Sequence, residues 1–183
     1  MWGRRLQRDN FLFEMTLTNE LQTAIRAVIK ACSVCTTIRA SHACEDAISK
    51  KDRSPVTIAD FGSQAVIIRE LLEDFPGADI VAEEDSTQMQ TLHGTPLGGD
   101  MVQAVAEVMP GADWATISSL VSKGNFEGSA TGRFWTIDPI DGTKGFLRNE
   151  QYAVALVVSC EYACHEGGNH DFLRVQCIEH SGC

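Results

Sequence analysis

The first half of the chain carries two helical patterns of apolar and polar residues. From Thr18 onward, apolar residues recur at steps of three and four, which predicts a long amphipathic helix. Its stripe comprises Leu21, Ile25, Val28, Cys32, Cys35 and Ile38. A second long helix is predicted between an N-cap at Thr57 and a stop at Pro76-Gly77. Its stripe comprises Ile58, Phe61, Ala65, Ile68 and Leu72.

Short apolar runs predict strands at 80–82, 134–137 and 152–158. Between the first two runs, residues 88–100 are rich in glycine and polar side chains, which predicts a loop. Two shorter helices are expected at 101–109 and 112–122. Helices and strands together predict an α+β fold.

Composition and charge narrow the class of protein. The chain has 183 residues, of which 44% are hydrophobic and 22% charged, which is enough for one ordinary core but not for two large domains. The net charge of -10 argues against a broad basic surface for a nucleic-acid polymer. No apolar run is long enough to predict a membrane-spanning helix. An acidic protein can still bind a small anion through metal ions.

Seven cysteines without a secretory apolar segment predict a reducing compartment rather than a disulfide framework or secretion. Cys32 and Cys35 form a C-x-x-C pair, but both fall on the apolar stripe, which favours core packing over redox or zinc chemistry. Residues 1–16 form a basic, aromatic leader, expected to be disordered in a cytoplasmic protein. The alternative is an organellar transit peptide for chloroplast or mitochondrion.

The densest group of candidate chemical residues lies at 138–143. Pro139 forces Asp138 into an extended conformation, and Asp followed by Pro favours a type I turn that brings Asp138 and Asp141 within about 7 Å. Two carboxylates this close repel each other unless a cation lies between them, and their oxygens suit magnesium. Gly142 and the amide of Thr143 would then face a phosphate. The alternative is an ordinary turn in which Thr143 caps a helix.

Three motifs resemble one known family. The string W-T-I-D-P-I-D-G-T-K-G-F-L-R at 135–148 resembles the D-P-I-D-G-T signature of the inositol monophosphatase superfamily of magnesium-dependent, lithium-sensitive phosphatases. It is most similar to the branch of 3'(2'),5'-bisphosphate nucleotidases, particularly those of plants. The run at 50–57 matches the family's K-x-D-x-S-P-V-T, and Ala82-Glu83-Glu84 matches G-E-E with alanine in place of glycine.

The resemblance implies a set of metal-binding residues. It assigns Mg²⁺ coordination to Glu83, Asp138 and Asp141, together with the backbone carbonyl of Ile140. It assigns Glu84 a supporting role behind the metal ligands.

The resemblance also implies catalytic and phosphate-binding residues. Asp52 and Thr143 are expected to orient and activate the attacking water, and Asp60 matches a recurrent helix aspartate. Gly142 and Thr143 are expected to bind phosphate.

The resemblance covers residues 17–158, which implies the amino-terminal domain of the inositol monophosphatase-like sugar phosphatase fold, with two long helices on a largely antiparallel sheet. Residues 159–183 form a divergent tail rich in cysteine and histidine, in which no further strand is predicted. The carboxyl-terminal domain of the family is expected to be missing. Its absence would expose one face of the domain and favour self-association.

The implied function is magnesium-dependent removal of the 3'(2')-phosphate from adenosine 3',5'-bisphosphate-type nucleotides by a metal-activated water. Inositol phosphates are the second candidate substrate. The alternative function is a truncated isoform of weak or no activity that binds metal or a full-length partner. Neither reading predicts a nucleic-acid polymer or a membrane as partner.

Overall fold

A computed structural model describes residues 3–41, 48–49, 55–129, 132–160 and 171–179, and the side chains of residues 19–41, 57–129, 132–158 and 175. Asp52 lies outside the described residues. The helices are α1 (Gly3–Ala40), α2 (Ile58–Asp74), α3 (Ser86–Met89), α4 (Pro96–Val108), α5 (Trp114–Val121) and α6 (Thr143–Leu147). The strands are β1 (Ile48–Ser49), β2 (Pro55–Val56), β3 (Ile80–Ala82), β4 (Phe134–Asp141), β5 (Tyr152–Cys160) and β6 (Asp171–Glu179).

The main sheet has four strands in the order β3-β4-β5-β6. β3 runs parallel to β4, whereas β4, β5 and β6 pair antiparallel. With α1 and α2 packed against this sheet, the predicted α+β fold with two long helices on a largely antiparallel sheet is confirmed. No helix in the described part of the chain is long and apolar enough to cross a membrane.

Helix α2 lies at the centre of the molecule. It contacts α1 and β4, and it also contacts α4 and α5, so residues 58–68 are buried on every side of the helix. The helix begins where predicted, because the Thr57 hydroxyl accepts a hydrogen bond from the Ala59 amide at 3.1 Å. The Asp60 carboxylate in turn accepts one from the Thr57 amide at 2.7 Å, which completes a capping box.

Helix α1 is rotated relative to the predicted stripe. Val28, Cys32, Cys35 and Ile38 are buried as expected, but the side chains of Leu21 and Ile25 are 37% and 43% exposed. The buried face is instead centred on small residues, namely Ala24, Ala27 and Ala31. Small side chains let two helices approach closely, and Arg26 fixes the rotation by pairing with Glu70 of α2 at 2.9 Å. The helix also starts at Gly3, so residues 3–16, expected as a disordered leader, have a helical backbone.

Two segments contain more regular structure than the sequence pattern predicted. Within 88–100, the expected loop, α4 already begins at Pro96, because Thr95 caps the helix and proline suits its first position. In the tail, where no strand was predicted, β6 pairs with β5 from Tyr152 opposite Glu179 to Cys160 opposite Asp171. The signal for β6 is a short alternation in which Leu173, Val175 and Cys177 are separated by Arg174 and Gln176.

Gly145 holds α6 close to the start of β5. A Cβ atom added at Gly145 would lie 2.4 Å from the Gln151 carbonyl oxygen, which is a backbone atom that cannot rotate away. We therefore expect Gly145→Ala to lower the free energy of unfolding by about 1–3 kcal/mol, measured by urea denaturation.

Gly99 provides the matched control for this substitution. It lies inside α4, and nothing stands within 4 Å of an added Cβ. Gly99→Ala should therefore raise the free energy of unfolding by about 0.5–1 kcal/mol. Equal effects of the two glycine replacements on the free energy of unfolding would show that the contact with Gln151 does not cause the loss of stability in Gly145→Ala.

Candidate functional site

The parallel pairing of β3 with β4 brings two predicted site segments side by side. In the register, Ala82 lies opposite Ile137, so Glu83 and Asp138 follow at the same end of neighbouring strands. The Glu83 amide donates to the Ile137 carbonyl at 3.2 Å, which extends the ladder one residue beyond β3. The structure thus brings Glu83 together with Asp138, although they are 55 positions apart in the chain.

Asp138 and Asp141 are brought together by a β-bulge and not by the predicted type I turn. β4 continues to Asp141, and its register against β5 shifts between Asp138, opposite Ala155, and Asp141, opposite Ala153. Three residues along β4 therefore pair with two residues along β5, so β4 contains one extra residue. In a regular strand, residues three apart point to opposite faces of the sheet. The extra residue in β4 turns the side chain of Asp141 to the same face as that of Asp138.

Asp138 is the electrostatic centre of this cluster. Burial, repulsion by Glu83, a hydrogen bond shared with the Glu83 side chain and repulsion by Asp141 together raise the pKa of Asp138 to about 7. Its Oδ1 atom is buried and has no hydrogen-bond partner among the described residues. A buried, unsatisfied carboxylate oxygen beside two further carboxylates fits a hard cation such as magnesium.

The cluster is not arranged as a finished coordination shell. Among the described residues, no three histidine, cysteine, aspartate or glutamate side chains meet the geometry of a metal site. Glu83 and Asp138 are close enough to interact through their side chains, and this interaction contributes to the raised pKa of Asp138.

Thr143 and Ile140, two predicted site residues, contact each other. The Thr143 hydroxyl donates to the Ile140 carbonyl at 3.1 Å, across Gly142. Gly142 has a φ of 92°, which favours glycine, and it is the N-cap of α6, so Thr143 is the first helical residue and not the cap that the alternative expected. The same carbonyl retains a second lone pair.

The α6 segment is anchored to the end of α1 by Arg39. The Arg39 guanidinium lies over the rings of Phe146 and Tyr152, with its central carbon 4.7 Å and 4.6 Å from their centroids. It also donates to the Glu150 carbonyl at 3.2 Å. The loop that follows the Asp138–Asp141 bulge therefore rests on a helix far from it in sequence.

Asp60 is a further carboxyl group that the structure places behind the cluster. It is 1% exposed, and burial followed by repulsion from Glu84 raises its pKa to about 8, although hydrogen bonds from Thr57 act in the opposite direction. Glu83 adds to the repulsion. Sequence reasoning gave Asp60 no definite role, since an acidic residue three positions after Thr57 is equally typical of a capping box.

Glu84, predicted to support the metal ligands, is buried. Its backbone is bound by the side chain of Gln64, which sequence reasoning missed because a lone glutamine on a helix carries no motif.

Beside Glu83 and Glu84 a polar cleft of about 390 Å³ opens toward solvent between the start of α3 and the end of α5. Its polar lining includes Ser86, Thr87, Ser122 and Asn125.

Comparison with known proteins shows the family of the chain. The sequence profile described as "Inositol monophosphatase family" matches residues 16–161. Three proteins named as 3'(2'),5'-bisphosphate nucleotidases are similar to it. One from Dictyostelium discoideum is 43% identical over 74% of this chain and 41% of its own length. One from Arabidopsis thaliana is 40% identical over 78% of this chain and 43% of its own length. One from Schizosaccharomyces pombe is 37% identical over 79% of this chain and 44% of its own length.

The chain therefore spans about two fifths of the length of these curated relatives. The resemblance inferred from the motifs at 50–57, 82–84 and 135–148 is confirmed by a profile match over most of the chain. The chain belongs to the inositol monophosphatase family.

Proposed function

We propose that this chain provides the metal-binding and phosphate-binding half of a magnesium-dependent 3'(2'),5'-bisphosphate nucleotidase. The observation that carries the proposal is the convergence of Glu83, Asp138 and Asp141 at one end of β3 and β4, where burial and their mutual repulsion raise the pKa of Asp138. The printed names of the relatives support the substrate class. Inositol phosphates are the second substrate class.

In this proposal each residue has a defined part. Glu83, Asp138, Asp141 and the Ile140 carbonyl hold the metal. Bound magnesium supplies charge neutralisation for the phosphate and lowers the pKa of a coordinated water. Gly142 and the amide of Thr143 bind phosphate, and the Thr143 hydroxyl, bound to the Ile140 carbonyl, is oriented toward the same region.

Activation of the attacking water is assigned to Asp52 and Thr143, as the family resemblance implies. Asp60 is 1% exposed and accepts hydrogen bonds from Thr57, so it is given no contact with that water.

A phosphate-release assay tests the proposal directly. With 3'-phosphoadenosine 5'-phosphate we expect release that requires magnesium, falls on addition of lithium, and exceeds release from inositol 1-phosphate by at least about tenfold, a difference of about 1.4 kcal/mol in transition-state stabilisation. Asp138→Asn should abolish release. Release without magnesium, or none from either substrate, would reject the nucleotidase activity for this chain.

A further inference from the structure

Gln64 binds the backbone of Glu84 through both ends of its side-chain amide. Its Nε2 atom donates to the Glu84 carbonyl at 2.8 Å, and the Glu84 amide donates to its Oε1 atom at 2.9 Å. Gln64 is 0% exposed and lies one helical turn after Asp60 on α2. This pair of bonds imitates a neighbouring antiparallel strand, in which opposed residues exchange both backbone hydrogen bonds.

The segment 83–84 is therefore held from two directions. Glu83 is bound to β4 through the Ile137 carbonyl at 3.2 Å, and Glu84 is bound to α2 through Gln64. β3 itself contains only Ile80–Ala82, so its own ladder supplies few bonds to this segment. Beyond Glu84 the chain turns at once into α3.

Charge repulsion acts against this placement. The carboxyl group of Asp60 is repelled by Glu84 and Glu83, and that of Asp138 is repelled by Glu83, when both partners of a pair are ionised. Without an anchor, the lowest-energy response of the segment would be to move outward into water. Hydrogen bonds in a buried setting are electrostatically strong, so the Gln64 amide is suited to oppose that movement.

The surrounding packing keeps the amide in place. A Cβ atom added at Gly124 would lie 3.4 Å from Gln64 Nε2 and 2.5 Å from Ala82 Cβ. The backbone after α5 thus covers both the end of β3 and the Gln64 side chain, and it leaves no room for a larger residue.

We propose that Gln64 is a positioning residue that holds Glu83 beside Asp138 for cation binding. This role rests on the proposed function, because it gives Gln64 the task of preparing the metal site. Gln64 does not touch the metal or the phosphate in this role and acts through the backbone of Glu84.

Gln64→Met tests the role because methionine has a similar length and keeps the apolar contacts but removes both hydrogen bonds. The dissociation constant for magnesium, obtained from thermal melts over a magnesium titration, is expected to rise by at least about tenfold. The control is Ile67→Val, a buried change on the same helix with no bond to the 83–84 segment, which should leave that constant unchanged. An unchanged constant in Gln64→Met would overturn the role.

Amide hydrogen exchange of Glu84, measured without metal, provides a second readout. Strong protection in the wild type that is lost in Gln64→Asn, whose amide is one methylene too short, supports the role even if Gln64→Met does not fold. Fast exchange of the Glu84 amide in the folded wild type overturns it. If the wild type itself shows no response to magnesium, the proposed function fails, whereas a wild-type response retained in Gln64→Met removes only the positioning role.

Discussion

Asp141→Asn is expected to abolish the stabilisation of the protein by magnesium. In the wild type, a cation that binds only the folded state raises the free energy of unfolding by RT ln(1 + [L]/Kd), which is about 2.7 kcal/mol at a hundred times Kd. Asn keeps the shape of Asp141 but removes one of the charges gathered around Asp138. The variant should therefore be slightly more stable than the wild type without metal, because the repulsion is relieved. Thermal melts of both proteins over a magnesium titration measure both effects.

Two further variants sharpen this test. Glu83→Gln removes a ligand from the neighbouring strand end and should weaken the magnesium response. Asp100→Asn removes the same charge from an exposed position on α4 and should leave the response intact. If Asp141→Asn and the wild type respond equally to magnesium, the assignment of this cluster as the metal site is wrong.

The metal-free protein is expected to lose stability as the pH rises from 5 to 8. The folded-state pKa values of Asp60 and Asp138 are about 8 and about 7, whereas both groups titrate near 4 when unfolded. Across this window the folded state retains protons that the unfolded state has released, so the free energy of unfolding falls with pH. Asp60 is buried, and at about 1.4 kcal/mol per pKa unit its contribution is on the order of 4 kcal/mol. Asp138 is less buried, so its contribution to the fall in the free energy of unfolding is smaller.

Asp60→Asn isolates the larger of these contributions. Because asparagine does not titrate, the dependence of melting temperature on pH should flatten in this variant, with a gain in stability at pH 8. Asp100→Asn should keep the slope of the wild type. Asp138 still titrates in Asp60→Asn, and burial also raises the pKa of Glu20, so a smaller slope of the same sign should remain in this variant. An unaltered slope in Asp60→Asn would contradict the burial of an ionisable group at this position.

The sequence predicted Glu83, Asp138 and Asp141 as metal ligands because their motifs are local strings whose spacing does not depend on the rest of the fold. Their role as ligands stays a prediction, and the structure adds that Glu83 lies beside Asp138. The turn predicted at Asp138–Asp141 was wrong because turn preferences describe an isolated tetrapeptide. Pairing of β4 with β5 supplies backbone partners on both sides of Pro139, and these long-range hydrogen bonds favour a bulged strand over a turn.

Local pattern by itself determined the positions of most elements of this protein. The stripe and cap of α2, the apolar run of β3, and the glycine before α6 each contain their own signal, because helix periodicity, capping and positive φ are properties of a few adjacent residues. These signals predicted the fold class, whereas the family motifs were recognised by their resemblance to known strings.

Only the tertiary structure decided which of those residues meet. The face that α1 buries was set by close packing of small residues against α2 and by the pairing of Arg26 with Glu70, not by the largest apolar side chains. The contact of Glu83 with Asp138 depends on the parallel register of β3 and β4, and the bond from Gln64 to Glu84 depends on where α2 crosses the strand end. Such contacts join residues far apart in the chain. Their energies depend on the whole packing arrangement, and no short stretch of sequence contains that information.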